Sequence, residues 1–283
     1  MKRMVATTFV AAALLFFTTG CMPTIGRTTR LSPAPFAAVT KEVSVYPKGE
    51  AGPGNYEVIG VVTAIQIMVP KNKEKIMKKL QADAAAMGAD SLVGYYTDSD
   101  GQGGIWTTAL AVRTLPPGQT PSPRKVEGVV AIPHALVPKD LATGGRAETL
   151  DAMALKLAQY QLVLKGYYTI LTDEPTPDPF EGSFQSMDAS GLTKYGGPDA
   201  DLVLGIQFVK NRHVNLALVS YQDMTLEMNL YSKPQKKTAW HKAGAGWFVG
   251  GLAHSVGPSE EKIRSMLEPI MEEAFGSLPH LPE

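Results

Sequence analysis

A single cysteine, Cys21, in 283 residues excludes an intramolecular disulfide and any metal site built from cysteines. No two of His134, His213, His241, His254 and His280 stand four apart, and His-Glu-x-x-His is absent, so a zinc site on one helix face is excluded too. Gly-x-Ser-x-Gly, the turn that presents a hydrolase serine, does not occur. The chain also lacks an excess of charge of either sign. With 27 basic and 27 acidic residues it has no electrostatic footprint for nucleic acid. Nor does it contain an apolar run of the roughly 20 residues that a bilayer-spanning helix takes. Its longest apolar segment, near the amino terminus, is about a dozen residues.

What is present begins at that segment. Lys2 and Arg3 precede Val5, Phe9, Val10, the alanines 11–13, Leu14, Leu15, Phe16 and Phe17, which is the layout of a secretory signal peptide. Thr18, Thr19 and Gly20 then lead into Cys21, and this junction resembles the lipobox of bacterial lipoproteins, although Thr18 stands where leucine is usual. The resemblance implies removal of residues 1–20 and attachment of acyl chains, palmitate among them, at Cys21. It also implies a lipid-anchored place in the bacterial cell envelope, with Met22 pointing to the outer membrane facing the periplasm. The alternative is an ordinary export signal with an incidental cysteine. Lipidation accounts for a lone exported thiol, which otherwise has no partner. The 263 residues that remain carry 25 basic and 27 acidic side chains and suffice for two domains.

Residues 21–40 read as a flexible tether from their Pro, Thr and Gly content, and the proline-rich 115–125 as a linker. Between them, 41–114 is expected to form a small α+β domain: strands 42–46, 56–64, 91–96 and 105–113, with a helix over 71–87. Ile76, Leu80, Ala84 and Met87 make that helix's apolar stripe, and Gly88 its left-handed stop. Residues 126–283 are expected to form an α/β domain. It has a strand near 126–135, a helix over 147–164, a strand from Tyr167, and a weak helix within 180–194. Three strands follow, at 201–209, 214–222 and 224–232, then a further strand in KTAWHKAG and a last helix from Ser259 kinked at Pro269. The fold class is thus α+β / α/β, two small sandwich-like domains, each a β-sheet packed with helices.

YEVIGVV, AAAMGADSLVGYY and ALAVR resemble small envelope domains of the YbjQ type, which implies a fold more than a function. In the second part, Gly166-Tyr167, Asp199 and Asp201 before an apolar strand, Trp240, and a Gly-rich apolar stretch before the last helix resemble envelope lipoproteins of the DUF799 type. Those are similar in architecture to the TolB amino-terminal domain and the curli-export lipoprotein. The resemblance implies a non-enzymatic role in envelope assembly, secretion or stabilisation of a surface structure.

No catalytic set, cofactor or metal is implied by the residues. The turn Thr97–Gly104 has the look of a calcium loop but lacks its bidentate glutamate, and reads as a hairpin turn. Two rivals stay open: a periplasmic hydrolase using His134 or His241 with a carboxylate, and a lipid carrier built around an apolar cavity. Two stretches point to binding. Lys71–Lys79 holds five lysines that suit anionic head groups, against a plain solvated helix face. AGAGWFVGGLAHSVG, with Trp247, Phe248, Val249 and Leu252, reads as an interaction loop that touches a membrane or forms a homo-oligomer, against a buried loop; the envelope protein partner is not named by any residue.

Overall fold

The computed structural model describes residues 25–33, 35–67, 73–99, 104–139, 146–178, 183–216, 219–250 and 260–282. Cys21, Leu252 and His254 lie outside them, as do the side chains of His213, Phe248 and Val249. The architecture is α+β: two mixed five-stranded sheets with five described helices.

The first sheet has the order β1-β3-β5-β4-β2, from strands β1 (Ile25–Arg30), β2 (Ser44–Pro47), β3 (Tyr56–Ile67), β4 (Ser91–Ser99) and β5 (Gly104–Thr114). Helix α1 (Lys73–Met87) covers one face. Its four expected apolar residues, Ile76, Leu80, Ala84 and Met87, are all buried against Ile59, Val62, Leu92, Ala109 and Ala111. Gly88 closes the helix at φ 91°, with Gly88 N donating to Ala85 O and Ala89 N to Ala84 O.

A tether over 21–40 does not describe this chain from Ile25 on. Ile25–Arg30 is an edge strand, antiparallel to β3 from Ile25↔Ile65 to Arg30↔Gly60, and Leu31 N and Ser32 N both donate to Ile59 O. Its Thr and Arg residues have low apolar content, but an edge strand with one covered face needs little more. Two glycine positions show how tightly it is seated: a Cβ on Gly60 would come within 2.5 Å of Thr29 O, and one on Gly26 within 2.1 Å of Lys79 Cε.

The second sheet has the order β10-β9-β8-β6-β7: β6 (Val129–His134), β7 (Tyr168–Pro175), β8 (Leu202–Leu216), β9 (Val219–Ser232) and β10 (Lys237–Gly250). β6 runs parallel to β7 and β8, while β8, β9 and β10 are antiparallel. Helices α2 (Arg146–Leu164) and α5 (Glu260–Gly276) pack on each other and on one face. α5 runs through Pro269 and buries Ile263, Met266, Leu267, Ile270 and Phe275. The other face is capped near its middle by the short helices α3 (Ser183–Ser186) and α4 (Ala189–Thr193), whose Phe184 meets Tyr195 and Tyr231.

The two sheets share a core. On the far side of the first sheet Val58, Val61, Val93, Leu110 and Val112 join the cluster that holds β6, α2 and β8. Trp106 of β5 lies against Tyr160 of α2, ring centroids 5.3 Å apart. Val163 of the same helix joins Trp106 and Ile65, while its Leu155, Ala158 and Leu162 are buried in the shared core. Both faces of the first sheet are covered, so its strands read as near-continuous apolar runs. Among the described residues no helix is long and apolar enough to cross a membrane.

Candidate functional site: a three-stranded ribbon with an open edge

β8, β9 and β10 each hold 14 or 15 residues, about 45 Å of strand, whereas β6 beside them has six. β6 pairs with β8 only at Val130↔Leu202 and Ala131↔Val203, and an isolated bridge at Leu136↔Gln207 ends the contact. From Phe208 onward β8 has β9 as its one strand neighbour among the described residues, and β10 forms the sheet's edge. A bulge between Phe208 and Lys210 leaves Val209 exposed.

The register sorts the ribbon into two faces. Phe208, Leu226 and Gly244 pair in one row, and Ile206 and Met228 in the next, all toward the helices. A Cβ on Gly244 would come within 2.6 Å of Ile270 Cγ2, and one on Gly246 within 2.8 Å of Ile270 Cδ1. These glycines therefore let α5 lie directly on the edge strand. The opposite face carries the rows Gln207–Glu227–Ala243, Lys210–Thr225–Ala245 and Arg212–Asp223–Trp247. Lys210 pairs with Asp223 there, and Trp247 stands 70% exposed.

The expected interaction loop is thus a strand over 243–250. Glycine argues against helix, but in β10 Gly244 and Gly246 face α5 and Ala243 and Ala245 face out, so alternation replaces loop. Trp247, Phe248 and Val249 fall within β10, and only the first of these side chains is described. The strand expected at 214–222 is likewise not one of its own: Val214–Leu216 ends β8 and Val219–Gln222 begins β9.

The hydrolase pair is half present. His134 Nδ1 lies 2.6 Å from Asp151 Oδ2, and Asp151 Oδ1 accepts from Ala135 N at 2.6 Å, at the carboxyl end of β6. This is a base with its orienting carboxylate, but no hydroxyl bonds to the ring among the described residues, so the third member of a nucleophilic set is not assembled. His241 is exposed on β10 opposite Asn229. His280 lies against Arg27, its Nδ1 3.1 Å from Nη1, and burial holds its pKa below the ordinary value. Among the described residues no three His, Cys, Asp or Glu side chains gather as a metal site. A surface hollow of about 300 Å³ is lined by Glu57, Arg113, Thr114 and Gln119 besides Phe36 and Leu115, too polar a wall for an acyl chain.

Asp199 and Asp201 belong to a polar brace between the sheets. Asp201 Oδ2 accepts from Arg124 Nη1 at 3.1 Å, Gly128 N at 3.1 Å and Val129 N at 3.2 Å. Arg124 also donates to Asp199 O, and Tyr56 of the first sheet donates to Asp199 Oδ2 at 3.0 Å. Lys233 donates to Tyr195 O and to Gly197 O, where Gly196 and Gly197 at φ 73° and 65° expose the carbonyls. None of these partners is visible from spacing, since Arg124 sits in a proline-rich stretch that reads as solvated. Trp240, Gly166 and Tyr167 are structural as well. Trp240 stacks on Phe275, and Gly166 adopts φ 90° beside Arg27 and Thr29.

No family model matches the chain, and no curated protein matches it. Solved structures are similar in part. A PelC dodecamer from Paraburkholderia phytofirmans has 14% identity over 54% of this chain and 92% of that one, with a TM-score of 0.32. Lipoprotein GNA1162 from Neisseria meningitidis has 17% identity over 45% and 88%, TM-score 0.29. A minor lipoprotein from Acinetobacter baumannii has 9% identity over 54% and 88%, TM-score 0.25. Likenesses at these scores say nothing of what the chain does, and the YbjQ and DUF799 resemblances stay resemblances of pattern.

The brace sets an alkaline pH profile. Burial pulls the Lys233 ammonium down from its ordinary 10.5 to about 8, against the opposing pull of Asp201. The unfolded chain therefore binds the extra proton between pH 8 and 10.5, so stability is expected to rise with pH across that window. Burial pushes the Tyr56 and Tyr167 phenols from 10.0 up to about 12. Their contribution is complete below pH 10 and is lost as pH rises toward 12. Urea melts at pH 8, 9, 10 and 11 should show a maximum near 10, and Lys233→Met should flatten the rising limb.

Proposed function

We propose that this chain is a lipid-anchored, non-enzymatic protein of the bacterial cell envelope. It acts by binding, as an assembly or stabilising factor for an envelope or surface structure. The anchor is an acylated Cys21, and the outer membrane facing the periplasm is its address. The contact surface is the open edge of β10 around Trp247.

The observation that carries this reading is Trp247 itself. A tryptophan 70% exposed on an edge strand, flanked by Ala243 and Ala245 with no charge between Ala243 and Gly250, offers an aromatic anchor and a row of backbone donors and acceptors. Edge strands recognise extended segments by adding them to the sheet, and buried tryptophans dominate the energy of such contacts. The hydrolase alternative keeps its His134–Asp151 pair, which has no hydroxyl partner among the described residues and ties the β6 end to α2.

The test is in-cell photocrosslinking from Ala245, followed by identification of what is captured. A discrete envelope protein, or a second copy of the chain, is expected. Trp247→Ala should lower that capture at least tenfold while leaving the melting temperature unchanged. Equal capture by the Trp247→Ala form, or capture of no envelope protein and no second copy, removes the β10 edge as the binding surface.

A further inference from the structure

Lys75, Lys78 and Lys79 stand at i, i+3 and i+4 on α1, so they form one stripe. Lys73, Lys75 and Lys78 are exposed, and Lys79 binds Asp83 at 3.0 Å. Glu74 and Asp83 are the acids of this helix, which leaves its first two turns with a net positive charge. A solvated face would account for the lysines alone. Their place in the fold adds something.

β1 begins at Ile25, paired with Ile65, two residues before β3 ends at Ile67, and α1 begins at Lys73. The end at which the chain enters from Cys21 is therefore the end at which the lysines stand. Lys79 reaches across β1, as its Cε contact at Gly26 shows, and Ile25 is 51% exposed at the same end. Cys21 and Ile25 are four residues apart, so at most about 14 Å of extended chain separates them. The first two turns of α1 add about 11 Å. Electrostatic attraction to an anionic membrane falls off over about 8 Å at physiological salt, and a leash with this upper limit lets the stripe settle within that range.

We propose that the α1 lysine stripe and Ile25 dock on the anionic phospholipid surface to which Cys21 is attached. The occupant is the bilayer surface rather than a protein: the leash delivers it, its phosphates complement the stripe, and Ile25 offers an apolar side chain beside the charges. Lysines near such a surface each strengthen attachment by roughly fivefold, so the stripe fixes which side of the first sheet faces the membrane. The inference rests on the acylation of Cys21, and the test separates the two.

The full chain, processed in cells and purified in detergent, is reconstituted into vesicles of phosphatidylcholine alone or with about 30 per cent phosphatidylglycerol, an anionic lipid. Amine-reactive labelling, read lysine by lysine by mass spectrometry, gives the accessibility of each side chain. The peptide containing Cys21 reports acylation in the same run. Lys73, Lys75 and Lys78 are expected to label about fivefold more slowly in the anionic vesicles, with the difference abolished at about 0.5 M salt, while Lys236 and Lys237 keep one rate throughout. Equal rates with an acylated Cys21 peptide overturn the docking and leave the anchor standing. A Cys21 peptide without acyl chains overturns both. Slowing by inorganic phosphate over phosphatidylcholine vesicles, or slowing of all lysines together, also overturns it.

Discussion

Asp201→Ala is expected to destabilise the chain by about 3–5 kcal/mol, the cost of breaking a buried ion pair from one side. Asp201 is 7% exposed, and its carboxylate holds the Arg124 guanidinium and the backbone N–H groups of Gly128 and Val129. Alanine leaves the Gly128 and Val129 N–H groups without an acceptor, each costing about 1–3 kcal/mol before relaxation, and Arg124 with Asp199 O in place of a carboxylate. Asp201→Asn should cost much less, about 1 kcal/mol. Burial raises the Asp201 carboxyl pKa in spite of Arg124, so removing the charge relieves desolvation while one amide oxygen still accepts. Urea denaturation of the two variants decides the matter. An asparagine form as unstable as the alanine form would mean that the charge, and not the acceptor, holds the brace.

Gly94→Ala is expected to cost about 3 kcal/mol or more for two reasons at one atom. Gly94 has φ 67°, where a side chain adds about 1–2 kcal/mol of backbone strain. A Cβ there would also stand 2.3 Å from Tyr168 Oη, which donates to Gly94 O at 2.6 Å. The methyl must break that bond or push the sheets apart, and overpacking of this kind costs about 1–3 kcal/mol. Tyr168→Phe placed in the same chain removes the obstructing oxygen. It should return roughly half the loss and leave the backbone strain, so a double-mutant cycle gives a coupling of about 1–2 kcal/mol. Additivity of the two changes would show that Gly94 and Tyr168 do not meet.

Local periodicity located the helices well, because Ile76, Leu80, Ala84 and Met87, or Ile263, Met266, Leu267 and Ile270, repeat at helical spacing whatever they pack against. Gly88 and the sheet strands from Tyr56 to Thr114 follow from equally local chemistry. What escaped depends on partners far along the chain. Ile25–Arg30 is a strand because β3 offers its edge, and Arg27 is held by Leu164 and Leu281, more than 130 positions away. Ala243–Gly250 extends because β9 lies beside it and α5 needs the space that glycine leaves. Of the candidate site, Trp247 was legible as an apolar residue among glycines, and its exposure was not. The Asp201 brace was legible only as two aspartates, since Arg124, Tyr56 and Lys233 reach it from three other segments.

The clasp at Arg27 gives the chain a load path. Its guanidinium bonds Leu164 O at 2.7 Å, where α2 ends, and Leu281 O at 3.0 Å in the carboxyl-terminal tail. Tension applied at the amino terminus enters along β1 and divides at once. One share passes through the six-residue ladder to β3, and the other passes through Arg27 to the end of α2 and the carboxyl-terminal tail. Both units are thereby pulled together, and neither is peeled from the other like the end of a tape.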